Sequence, residues 1–300
     1  MCQNRVAMLK TETPAQDHAL LDQYPTAELV NVLVDDQINA VNAVRAAAPR
    51  IAAAVAAAVP RMEAGGRLIY VGAGTSGRLG LLDSVELYPT FSWPHGRAVA
   101  LLAGGSDAMF VAVEGAEDNV DQGAADLRAV DVSKNDVVLL IAASGGTPYV
   151  LGALRAARAV GALTIGFANN VDAPIANEAD VGVTLDTGAE VISGSTRLKA
   201  GTSQKIALNT FSSALMVRLN KVHGNLMVDL KATNAKLVRR AIRLTAFATG
   251  VDEDAARAVL EQCDFHVKTA IVALSKQTNV EQARVLLENA RGSVRQALAQ

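Results

Sequence analysis

Five short runs rich in apolar, β-prone residues, Arg67–Val71, Arg97–Leu102, Asp136–Ala142, Leu163–Ala168 and Val181–Leu185, alternate with helix-compatible stretches such as Tyr149–Val160. Strands alternating with helices imply right-handed βαβ crossovers, and therefore a parallel sheet covered on both faces. Half of the residues are apolar but only 4% are aromatic, so alanine and valine must fill most of the interior. A chain of 300 residues suffices for one large or two modest domains. In open parallel sheets a ligand sits beyond the carboxyl ends of the strands, near the point where strand order reverses.

Around this block the pattern is helical. Residues 1–24 read as a polar, irregular arm, and 26–63 as helix with Pro49 and Pro60 near helix boundaries. After Thr202 helix is expected over Gln204–Leu219 and Leu226–Thr245. The last fifty residues carry a weak repeat: Ala256–Ile271 aligns without gaps on Ala283–Leu298, each copy following a Thr-x-Val (Thr249, Thr278) with the character of a helix cap. Two stacked helical hairpins account for it; a small protein-binding module of the ubiquitin-associated type is the alternative. The expected division is an arm with helices over 1–63, an α/β domain over 64–245 and an all-helical domain over 246–300.

Charge and cysteine usage exclude several classes. A net charge of −2 lacks the basic surplus of a nucleic-acid binder. Cys2 and Cys263 do not make a disulfide framework, and neither C-x-x-C nor H-E-x-x-H occurs, so no metal is expected. No basic-then-apolar leader opens the chain and no charge-free run reaches membrane-span length; the alanine-rich Ile51–Val59 is short and bounded by Pro49 and Pro60. A cytoplasmic protein is expected.

Two loops carry chemistry. Arg67–Val71 runs into Gly72-Ala-Gly-Thr-Ser-Gly77, a glycine-rich turn that aims backbone N–H groups and a helix N-terminus at one spot, which suits a phosphate. By letters it is also the dinucleotide G-x-G-x-x-G. That site needs an acid at the end of the second strand, where this chain has Ala103-Gly104-Gly105-Ser106. Tyr88-Pro89 and Trp93-Pro94 also argue against a plain crossover helix. The third strand runs into Ala143-Ser144-Gly145-Gly146-Thr147-Pro148, with Pro148 suited to a first helical turn. Its hydroxyls either wrap a phosphate or merely cap the helix. Two such loops favour one sugar phosphate between them, through Gly74, Thr75, Ser76, Ser144, Gly145 and Thr147, with Arg78 either assisting or in a surface salt bridge. A third segment after the fifth strand offers Glu190, Ser195, Thr196, Arg197, Lys199 and Lys205 as donors and acceptors for a hydroxyl-rich anion, or as a charged loop with a capped helix.

Acid segments Asp83–Glu86 and Glu114–Asp118 flank the second strand. A carboxylate pair near a bound sugar can divide proton transfer, one ionised as base and one protonated as acid; otherwise these are ordinary surface acids.

The runs Gly72–Gly80, Val113–Asp118, Ala142–Val150, Gly194–Thr202 and Gly224–Asp229 together resemble the N-acetylmuramic acid 6-phosphate etherase family, with a sugar-isomerase (SIS) domain related to the glucokinase regulatory protein. The resemblance implies a three-layer αβα SIS domain with a five-stranded parallel sheet, N-terminal helices and a small C-terminal helical domain. It implies a lyase that cleaves the D-lactyl ether of its substrate in amino-sugar recycling, with Glu86 as acid and Glu117 as base. It implies a homodimer, a small sugar phosphate as ligand and no cofactor. A non-catalytic phosphosugar sensor is the alternative. The chain departs from the family pattern at Gly146, where arginine is usual, at Val85 and Leu87-Tyr88 beside Glu86, and after Thr11-Glu12, where an asparagine is missing.

Overall fold

The computed structural model describes residues 9–300; Cys2 lies outside them. After three 3-10 turns come α1 (Thr26–Asp36), α2 (Ile38–Glu63), β1 (Leu68–Gly72), α3 (Gly74–Phe91), β2 (Ala98–Leu102), α4 (Val120–Ala129), β3 (Val137–Ala142), α5 (Pro148–Ala159), β4 (Leu163–Ala168), α6 (Pro174–Glu178) and β5 (Val181–Thr184). Then follow α7 (Lys199–Arg218), α8 (Ala235–Thr249), α9 (Glu253–Gln262), α10 (Val267–Lys276), α11 (Val280–Asn289) and α12 (Val294–Ala299). All five expected strands are present to within a residue at each end. They form one parallel sheet in the order β2-β1-β3-β4-β5, the α/β fold that the alternation implied.

The chain divides into two compact units. One runs to Ser84 and resumes over Gly96–Ser212; the other comprises Val85–His95 and Ser213–Gln300. The N-terminal helices thus belong with the sheet rather than apart from it, because α2 packs on β4 and β5 through Ala40, Ala47, Ile51 and Ala54. By length and mean hydropathy the stretch 26–63 passes for a membrane span, although it is not free of charge, yet its buried face makes α2 a core helix. β1 and β3 are buried throughout, and Leu127, Tyr149 and Leu154 cover one face of the sheet.

Proline placement overturns two expectations. Pro49 lies well inside α2, whereas Pro60 falls in its last turn near the boundary as expected, and α3 is a regular helix of 18 residues despite Pro89. A proline forfeits one N–H and crowds the preceding turn. In α2 the packed alanine face offsets that cost, and in α3 Pro89 falls in the last turn. The helix after the glycine loop is therefore unbroken, and what speaks against a dinucleotide site is the missing acid after β2.

The second unit has its own core of Val228, Leu260, Ile271, Val272, Ala283, Leu287 and Val294. The repeat is two helical hairpins, α9–α10 and α11–α12, in that single core. Their caps are Asp252 and Asn279, each accepting an N–H three residues on, rather than Thr249 and Thr278. Residues 226–234, expected to be helical, are not; α8 starts where Asn234 caps it. Within this loop the buried Asp229 binds Lys268 at 2.7 Å and Lys221 at 2.9 Å, and its backbone carbonyl accepts from Ser92. Those bonds require an open, non-helical chain.

Candidate active site

Connections from β1 and β3 leave in opposite directions along the sheet, so the strand order reverses between these neighbours. The loops after both strands open on that point. They border a cleft of about 450 Å³ lined by Ala73–Ser76, Ala142–Ser144, Gly146–Pro148, Glu117, Asp118, Thr196, Leu9 and Glu12.

The first loop is held tight by glycine. A Cβ on Gly77 would come within 2.6 Å of the Gly72 carbonyl oxygen and 2.3 Å of Leu102 Cδ1, so only glycine lets α3 start this close to β1. Thr75 and Ser76 then occupy the first turn of α3, where the N–H groups have no helical acceptor and the helix dipole favours an anion. In the second loop Ser144 Oγ accepts from Gly146 N at 3.2 Å, and Gly145 turns the chain at φ +70°. Thr147 precedes α5 but makes no side-chain cap bond, which leaves its hydroxyl for a ligand. The reading in which these hydroxyls merely cap α5 is therefore not what the loop does.

No lysine or arginine lines this cleft among the described residues, whereas three carboxylates do. The donors that the lining offers to an anion are therefore hydroxyls and the N-termini of α3 and α5. Arg78 is engaged elsewhere: its Nε and Nη2 donate to the Ala108 carbonyl at 3.1 and 2.8 Å. That anchor shapes a smaller recess of about 230 Å³, which shares Ala73, Gly74 and Glu117 with the cleft and adds Glu114. Glu117 stands on a single 3-10 turn, Ala116–Asp118, entered through Gly115 at φ +71°.

The third segment goes largely into the structure rather than the cleft. Glu190 is fully buried and accepts Lys199 N at 3.1 Å and Ala200 N at 2.9 Å, closing the N-terminus of α7. Burial pushes this carboxyl up despite the two donors. Lys199 is buried against Asp36 at 2.7 Å. Neither is a cleft residue, and both correct the sequence reading, since local sequence does not tell an acid aimed at a ligand from one aimed at a helix end. Ser195 and Gly145 also do not line the cleft, whereas Thr196 of the same expected segment does. Asp83, on the inner face of α3, is buried and bonded to Tyr70, Asn209 and Ser212. Glu86 is exposed on α3, in the other unit, and is not among the residues lining this cleft. Glu12 was not expected here at all; the Thr11-Glu12 pair was its only signal.

Two family models match the chain: the glucokinase regulatory protein N-terminal SIS domain over residues 50–158 and the SIS domain over 110–214. An N-acetylmuramic acid 6-phosphate etherase of Deinococcus radiodurans is 58% identical over 97% of this chain and 95% of its own length. One from Rubrobacter xylanophilus is 48% identical over 99% and 98%. Among solved structures, a phosphoheptose isomerase from Francisella tularensis matches 65% of this chain and all of its own at a TM-score of 0.49 and 18% identity.

Proposed function

The chain belongs to the N-acetylmuramic acid 6-phosphate etherase family, lyases acting on carbon–oxygen bonds, and from that premise we propose that its cleft cleaves the D-lactyl ether of N-acetylmuramic acid 6-phosphate with water. The products are N-acetylglucosamine 6-phosphate and D-lactate. One observation carries the reading: the Glu117 carboxylate shares a cleft with two hydroxyl-bearing turns at helix N-termini. This combination holds a sugar phosphate beside a base.

In the ring-opened sugar the C2 hydrogen lies next to the aldehyde and is acidic enough for a carboxylate to remove. Glu117 takes that proton, the electron pair forms the C2–C3 double bond and the C3–oxygen bond breaks. The departing lactyl oxygen requires a proton, which we assign to Glu86. Water then adds at C3, and a proton returns to C2. The sequence is an elimination followed by a hydration, with the protons moved by the two carboxyl groups. Glu86 rests on the family resemblance; its exposure on α3 beside the exposed Val85 and Pro89 suits a face that a second copy covers, which supports the homodimer proposed with it. The setting proposed is cytoplasmic recycling of cell-wall amino sugars.

The test is incubation with N-acetylmuramic acid 6-phosphate and enzymatic assay of D-lactate. Equimolar lactate and N-acetylglucosamine 6-phosphate are expected. Tight sugar-phosphate binding without lactate would overturn the lyase in favour of a sensor, and a ketose product would reveal an isomerase.

A further inference from the structure

The N-terminal segment lies along the cleft, which Leu9 and Glu12 line, as a fastened strap. Lys10 Nζ binds Asp186 at 2.6 Å, and Ala15 N donates to Ser193 Oγ at 3.2 Å. Between them Thr11 is fully buried: its N–H donates to Asn170 Oδ1 at 3.3 Å, and Asn170 Nδ2 donates to Thr11 Oγ1 at 2.9 Å. The same Asn170 amide donates to the Ala143 carbonyl at 2.9 Å, in the second hydroxyl loop. The strap is thus tied to the loop that forms one wall of the cleft. The next residue is Glu12. Glu12 lines the cleft and is exposed there. Its Oε2 stands 3.4 Å from where a Cβ on Gly194 would be, and the carboxylate makes no hydrogen bond or ion pair with any described residue.

The backbone is fixed on either side, so this exposed carboxylate is kept at the cleft with its acceptor oxygens open. A carboxylate is acceptor-only and repels phosphate, so it cannot be the phosphate site. What it accepts is a neutral donor on the rest of the molecule. We propose that Glu12 is the sugar-recognising residue of the cleft, accepting hydrogen bonds from hydroxyl groups of the bound sugar phosphate, and that Thr11 and Asn170 position it. This rests on the cleft being the sugar-phosphate site, not on the etherase chemistry.

The experiment is calorimetric titration of the full chain with N-acetylglucosamine 6-phosphate and, separately, with inorganic phosphate. Glu12→Ala should weaken sugar-phosphate binding by about 10- to 100-fold, the loss of one or two bonds to a charged acceptor. Phosphate should bind as well as to wild type or better, since a negative charge has gone; that titration also shows that the fold and the phosphate loops are intact. Thr11→Val, which keeps Glu12 but cuts its anchor, should reproduce the sugar-selective loss more weakly. A Glu12→Ala protein that binds the sugar phosphate within twofold of wild type, or loses both ligands equally, would overturn the proposal. So would an unchanged Thr11→Val, for the positioning role. A wild type that binds the sugar phosphate but makes no lactate would remove the etherase reading and leave this one standing.

Discussion

Tyr70 Oη donates a 2.7 Å hydrogen bond to Asp83 Oδ2, joining the middle of β1 to α3 inside the protein. Burial raises the Asp83 carboxyl, and bonds from Tyr70, Asn209 and Ser212, with the charge of Lys205, pull it part of the way back. A carboxyl whose folded pKa lies above its unfolded one binds its proton more tightly when folded. It therefore loses stability as pH rises through the folded value. Tyr70→Phe removes one of the compensating bonds. It should cost about 1–3 kcal/mol at pH 8, and less at pH 5, where more of Asp83 is protonated. Urea unfolding at both pH values checks this; an equal deficit at each would contradict it.

Asp136 has the opposite sign. Although burial opposes ionisation, Arg67 and the N–H groups of Ser133 and Arg67 hold the carboxyl below its usual range. Its contribution is present above the unfolded pKa and lost as pH falls through the folded one. Asp136→Asn should destabilise by about 3 kcal/mol at neutral pH, leaving Arg67 half-paired. The gap to wild type should close below about pH 4, as acid titrations followed by circular dichroism would show.

Because Glu190 closes α7, Glu190→Gln should lower stability by about 1–3 kcal/mol, as a charged acceptor of two N–H bonds becomes neutral. Sugar-phosphate affinity, measured well below the melting transition, should stay within twofold. A large affinity loss at unchanged stability would return Glu190 to the ligand.

Gly146 lines the cleft with nothing within 4 Å of where its Cβ would stand. Gly146→Arg should therefore fold normally and place a cation where the lining has none. Phosphate should bind several-fold tighter at low salt, and the gain should fade by about 0.5 M salt as screening sets in. Titration at two ionic strengths separates this from a rigid, salt-independent contact.

Glu117→Gln should abolish exchange of the substrate C2 proton with solvent, a loss on the order of a hundredfold or more for removing a general base. Binding should persist. NMR in deuterated buffer reads the exchange directly, and an exchange rate equal to wild type would remove Glu117 as the base.

What the sequence determined by itself is the sheet and the two hydroxyl-bearing turns that border the cleft. Apolar runs such as Leu163–Ala168 and turns such as Gly72–Gly77 carry their own geometry, because strand burial and positive-φ turns are set by residues close together in the chain. The fates of individual polar groups were decided only by the tertiary structure. Glu190 and Lys199 look like ligands in sequence and are buried on α7 and Asp36, while Glu12 reaches the cleft from the far end of the chain through Thr11 and Asn170. The physical reason is common to all three. A carboxylate or ammonium group settles where long-range packing leaves it a partner or exposes it to a ligand, and no local pattern records which.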